Sequence, residues 1–115
     1  MCPDGVVSES IDEYSAEQRE TLAEAPGLRV RLLTLAAGQS VPWHYHNNIT
    51  DTFFCMRGPM SILTRGPDAT HTLHPGDTLA VRPGVPHYVE AAGAGPCQFM
   101  IVQGVGEYDY VPLEE

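Results

Sequence analysis

The run GQSVPWHYHNNITDTFFCMRG, residues 38–58, decides the reading of this chain. It spaces Gly38, His44, His46, Asp51 and Gly58 as G-x5-H-x-H-x4-D-x6-G, and a third histidine closes the later run RPGVPH at His87. Successive side chains of a strand point to opposite faces, so within WHYH the two histidines share one face and Trp43 and Tyr45 the other. Asp51 opens the run DTFFCMR, where the same period of two puts it on the face of Phe53 and Cys55. Imidazole nitrogens joined by a carboxylate suit a divalent first-row metal, and the set resembles the two-His-one-carboxylate chemistry of non-haem iron sites. An H-x-H pair alone is frequent by accident, and its bland reading is two surface histidines on a strand edge.

Outward from this run the chain keeps one rhythm. From Leu28 onward, short apolar or alternating stretches rich in Val, Thr, Ile, Leu and aromatics are separated by Gly and Pro turn chemistry such as Pro75-Gly76-Asp77 and Pro83-Gly84. The pattern predicts strands near 28–35, 41–46, 51–57, 60–65, 70–73, 78–82, 86–91, 97–103 and 108–112. Eight or nine strands without intervening helices imply an all-β sandwich or closed barrel. Residues 8–26 carry the one helical signal, with Ser15 and Gln18 spaced as a capping box and Pro26-Gly27 as the stop. The expected organisation is an acidic N-terminal arm over 1–27, helical in part, followed by a barrel over 28–115.

Composition bounds the function. At 115 residues, 43% apolar and 18% charged, the chain suits one domain with a real core. Its formal charge is −9, its six bases are all arginine, and the absence of lysine rules out a lysine Schiff base. No basic cluster offers a phosphate-binding face, so nucleic acid is not an expected partner. The N-terminus has neither the basic patch nor the apolar run of a signal peptide, and no stretch is long enough to span a bilayer, so a cytoplasmic protein without a membrane partner is expected. Cys2, Cys55 and Cys97 have no C-x-x-C spacing and suggest neither a disulfide framework nor a thiolate zinc site.

The two motifs together, continuing through P-G-D and P-G-V-P-H, resemble those of the cupin superfamily, and specifically its small single-domain members, from Gly38 to His87. The first motif falls on Gly38, His44, His46, Asp51 and Gly58, the second on Gly76, Asp77, Gly84 and His87. The resemblance implies a jelly-roll β-barrel holding one divalent metal per chain, Fe, Mn, Ni or Zn, through His44, His46, Asp51 and His87, with two octahedral positions left for a small molecule. It also implies a homodimer. Three positions depart from the family pattern: Asp51 stands where Glu is usual, Arg82 replaces a proline, and Ala91 replaces a terminal asparagine. The shorter Asp51 must approach more closely, act through water, or leave a three-histidine site.

Two functions compete on this reading. One is a metal-dependent enzyme of the oxygenase, isomerase, cyclase or lyase type, a dioxygenase for instance, acting on a small oxygenated molecule. The other is a small-molecule-binding or sensory module whose metal is structural or absent. Cys55 and Glu90 are the candidate catalytic groups outside the ligand set, with Cys55 as a small core residue its plain alternative. Phe53, Cys55, Arg57 and Arg82 are the candidate substrate-pocket residues, the arginines as anchors for an anion or else as solvated strand-end charges. His71 and His74 bracket a turn and are read as bystanders.

Overall fold

The computed structural model describes residues 14–113, and the order of its strands follows from where the turn residues fall. The strands are β1 (Gln18–Ala25), β2 (Leu28–Leu35), β3 (Ser40–Tyr45), β4 (Thr50–Arg57), β5 (Met60–Thr64), β6 (Ala69–Leu73), β7 (Thr78–Val81), β8 (His87–Ala91), β9 (Cys97–Gly104) and β10 (Val111–Pro112). Among the described residues they form two five-stranded antiparallel sheets, ordered β1-β2-β9-β4-β7 and β10-β3-β8-β5-β6. This is the all-β jelly roll that the strand rhythm implies. Among the described residues no helix is long and apolar enough to cross a membrane.

Over the described residues the expected helix is not there. QRETLAEA is strand β1, paired along its length with β2 from Gln18 opposite Thr34 to Ala25 opposite Leu28. Pro26-Gly27, read as a helix stop, is instead the tight turn of a hairpin, with Gly27 at φ 77° in the left-handed region that a side chain resists. The ladder offered by β2 overrides the helical propensity of a segment that buries little of its own surface. The first part of that helix, residues 8–13, and Cys2 lie outside the described residues. The strand expected at 108–112 shortens to Val111–Pro112, leaving 108–110 as a loop.

Between the sheets the alternating faces meet in a core that includes Leu33, Leu35, Phe53, Met60, Ile62, Val89 and Phe99, each at most 1% exposed. Strand β9 shows the gradient along the barrel, burying Cys97, Phe99, Ile101 and Gln103 in turn, so the interior passes from apolar to polar toward the β9 C-terminus. Register carries that polar end across both sheets: Gln103 pairs with Asp51 on β4, and His44 on β3 pairs with His87 on β8. Gly58 fits the frame because a Cβ there would meet Cys55 Sγ at 2.9 Å and the Met60 nitrogen at 3.1 Å.

Candidate metal centre

His44, His46, Asp51 and His87 come together at the polar end of the barrel, all buried, with one ligand atom from each lying within 4.8 Å of the others. Strict alternation would place Val41 and His44 on opposite faces, but the β3–β8 register shifts between them. That irregularity at Pro42-Trp43 lets both side chains point inward, as a bulge commonly re-aims a residue beside a site. His46 follows β3 in the loop, Asp51 lies on β4, and His87 opens β8.

Each imidazole is held by its outer nitrogen. His44 Nδ1 lies 2.7 Å from the Pro42 carbonyl and His87 Nδ1 2.9 Å from that of Val85, while His46 Nδ1 contacts the Asp109 carbonyl. A carbonyl only accepts, so each Nδ1 carries the hydrogen and donates it, which assigns Nε2 of a neutral ring as a lone pair. The Nε2 atoms of His46 and His87 then face one carboxylate oxygen, Asp51 Oδ2, at 2.9 and 3.0 Å. Two lone pairs and a carboxylate oxygen gathered this closely need a positive charge between them, either protons on the rings or a metal ion. The donor set therefore fits a divalent cation, and the carbonyl anchors are the partners that fix ligating histidines.

The electrostatics follow from that crowding. Burial, with repulsion from His87 behind it, pushes His44 down to about 3. Burial also opposes charge on His46, but the hydrogen bond and attraction of Asp51 outweigh it and raise its pKa. Burial works to raise Asp51, yet the contacts with His46 and His87 prevail and hold it below the usual carboxylate range. Asp51 is thus a buried anion with one oxygen facing the histidines. Its other oxygen, Oδ1, accepts a hydrogen bond from Gln103 Nε2 at 3.2 Å.

The model of the cupin domain family matches residues 31–103, most of the chain and all four of these side chains. The chain belongs to the cupin family. Structures similar to this cupin include a cupin-2 domain protein from Shewanella frigidimarina, with 23% identity, TM-score 0.65, and 78% of this chain and 82% of that one covered. A double-stranded beta-helix protein from Klebsiella pneumoniae aligns over 97% of this chain and 100% of its own at 20% identity and TM-score 0.73. An oxalate decarboxylase from Lactobacillus farciminis, in complex with formate, matches at 17% identity and TM-score 0.69 over 77% of this chain and 27% of its own. Comparison with curated proteins gave no match.

Several residues of this cupin sit where alternation does not take them. Cys55 is a core thiol, not a pocket group: its Sγ lies 3.6 Å from the Leu73 carbonyl, and burial together with Asp77 raises its pKa, the opposite of a reactive thiolate. Glu90 alternates away from His87 and Val89 on β8 and lies opposite Ser40 and Ser61, outside the cavity. Arg57 ends β4 six residues beyond Asp51, a displacement of about 20 Å along a strand, and is exposed. Arg82 is exposed in the turn after β7. Of the four expected pocket residues, Phe53 alone lines the cavity beside the ligands. His71 pairs with the Thr64 hydroxyl at 3.3 Å, and His74 caps its turn through a backbone bond to Asp77, so neither joins the cluster.

The site also holds groups that motif reading passes over. Arg31, Tyr14, Gln103, Tyr108 and Tyr110 line a cavity of about 20 Å³ with His44, His46 and Asp51. Tyr110 stacks on His44 at 4.5 Å and Tyr108 packs near His46 at 5.5 Å. The loop bearing them is fastened by Asp109, whose carboxylate accepts bonds from the Asn47 backbone and side-chain nitrogens at 2.9 and 2.7 Å. Gln103 and Arg31 did leave a signal: Gln103 ends the inward apolar series Cys97, Phe99 and Ile101, and Arg31 shares the inward face of Leu33 and Leu35. The 108–110 loop left none.

Proposed function

We propose that this cupin is a metal-dependent enzyme that holds one divalent first-row metal through His44, His46, Asp51 and His87 and acts on a small oxygenated organic molecule in the barrel. The observation that carries the reading is the orientation of the imidazoles, each donating Nδ1–H to a carbonyl, with two of them facing a single carboxylate oxygen through Nε2. Fe, Mn, Ni and Zn all suit this donor set. Manganese gains support from a similar structure, a Bacillus subtilis oxalate decarboxylase with Mn(II) centres, 21% identical with TM-score 0.68, of which this chain spans 30%.

When bound, such an ion supplies Lewis-acid polarisation of a substrate oxygen or a site for O₂. The protein supplies the rest. Gln103 and the three carbonyls fix the ligands, Phe53, Phe99 and Ile101 form the apolar wall of the cavity, and the aromatic loop packs on His44 and His46. That apolar wall faces polar side chains converging on the ligands, the mixture that a small-molecule site uses.

The test is reconstitution with each metal, followed by oxygen uptake and product analysis against a panel of small hydroxy and keto compounds. Turnover that requires metal and disappears in His46→Ala is expected. A fully loaded chain that binds such compounds and converts none would instead establish a binding module.

A further inference from the structure

Arg31 is 5% exposed and lines the metal cavity, yet its guanidinium forms no hydrogen bond or ion pair with another side chain or carbonyl among the described residues. Its neighbours Arg29 and Arg19 each make contacts of their own, although Arg29 Nη2 and Arg19 Nε are left buried without a hydrogen-bond partner among the described residues. Arg29 donates to Gln103 at 3.0 Å and lies over the Tyr108 ring, while Arg19 lies over the Tyr14 ring and donates to the Tyr14 carbonyl. The carboxylate of Asp51 is engaged by His46, His87 and Gln103.

Guanidinium stays protonated in proteins, and a buried charge is costly unless something pairs with it. Period-two alternation places Arg31 on the same inward face as Leu33 and Leu35, where an aliphatic side chain would pack without that cost. With a divalent ion at the histidines, the single charge of Asp51 leaves the cavity net positive. A planar fork of donors facing such a space matches a carboxylate in two-point contact. The cavity of about 20 Å³ has room for only one or two water-sized groups, so the guest must be among the smallest organic anions.

We propose that Arg31 anchors the carboxylate of a small organic anion whose other end reaches the metal centre, so that the substrates of this cupin are small carboxylates. The inference rests on the metal-enzyme reading above and names its substrate class.

The probe is glycolate, with glycolamide as its uncharged counterpart, titrated calorimetrically into metal-loaded wild type, Arg31→Met and Arg31→Lys, with metal content measured on the same samples. Wild type should bind glycolate and discriminate against glycolamide. Arg31→Met should lose roughly 10–100-fold in glycolate affinity at full metal content, and Arg31→Lys should recover part of it. The metal-free Arg31→Met chain should melt no lower than wild type, because replacing an unpaired buried charge by an apolar side chain removes a penalty. Unchanged glycolate affinity in Arg31→Met, no glycolate binding by loaded wild type, or a lowered melting temperature that marks a structural role would each overturn the proposal. If wild type takes up no metal, the metal reading fails by itself. The same titration on the metal-free chain then decides Arg31 separately, Arg31-dependent binding supporting the anchor and Arg31-independent or absent binding removing it.

Discussion

Gln103 Nε2 lies 3.2 Å from Asp51 Oδ1, directly across the β9–β4 ladder, and leaves Oδ2 as the oxygen that faces His46 and His87. An amide on the neighbouring strand thus determines which lone pairs of the carboxylate point into the cluster. Asp51 is one methylene shorter than the usual glutamate of the family, and this bond holds it in place.

Gln103→Ala should therefore lower metal affinity by about 10–100-fold, the usual consequence of removing a partner behind a ligand, while leaving the strand register intact. Competition titration against a chromophoric chelator measures the affinity, and circular dichroism checks the fold. Wild-type affinity in a folded Gln103→Ala chain would show that Asp51 needs no such support.

Replacing His44 or His87 with alanine should remove most metal affinity, whereas His71→Ala and His74→Ala should change little. His74 is 67% exposed and His71 is tied to Thr64 on the outer ladder. Metal content after dialysis against a weak chelator separates the two groups. Equal losses in all four variants would contradict the assignment.

How far the sequence revealed this arrangement depends on what each residue's position records. The strands from Leu28 to Gly104 were legible because alternation and Gly-Pro turns are local, and the four clustered side chains because their spacing resembles the two cupin motifs. QRETLAEA misled because its helical propensity is local while the β2 ladder that captures it is not. Cys55 and Phe53 share a face, but two residues along β4 separate the cavity wall from the apolar core, a distance that parity does not encode. Tyr108 and Tyr110 reach the histidines through a loop fastened by Asn47 and Asp109, a contact between residues 62 apart.

The stability of the metal-free chain should be greatest near pH 6.5 and fall on either side. His44, depressed by burial to about 3, binds a proton more readily when unfolded, so stability is lost as pH falls from 6.5 toward 3. Asp51, held low by its histidine contacts, adds a loss below its unfolded value of 3.8. His46 acts oppositely: its raised pKa contributes stability that is complete below 6.5 and is lost as pH rises through the folded value. Thermal melts across this range measure the effect, and a melting temperature that holds constant from pH 6.5 down to about pH 4 would contradict it.

We propose that the protein is a homodimer. Among the described residues strand β1 is an edge of its sheet, largely exposed along its length, with Leu22 at 47% exposure. An uncovered strand edge is a template for pairing, and a second copy is the simplest cover. Light scattering at micromolar concentration should give twice the chain mass, and replacing Thr21 on β1 by proline should shift the mass toward monomer. A wild-type monomer would remove the proposal.

The most direct measurement is metal content per folded chain, wild type beside His46→Ala, after reconstitution with Mn(II), Fe(II), Ni(II) or Zn(II) and removal of excess. The account predicts close to one ion per wild-type chain, bound with release of protons and a raised melting temperature, and little or none in His46→Ala. Wild-type protein without stoichiometric metal, or a His46→Ala chain that binds as wild type does, would contradict it.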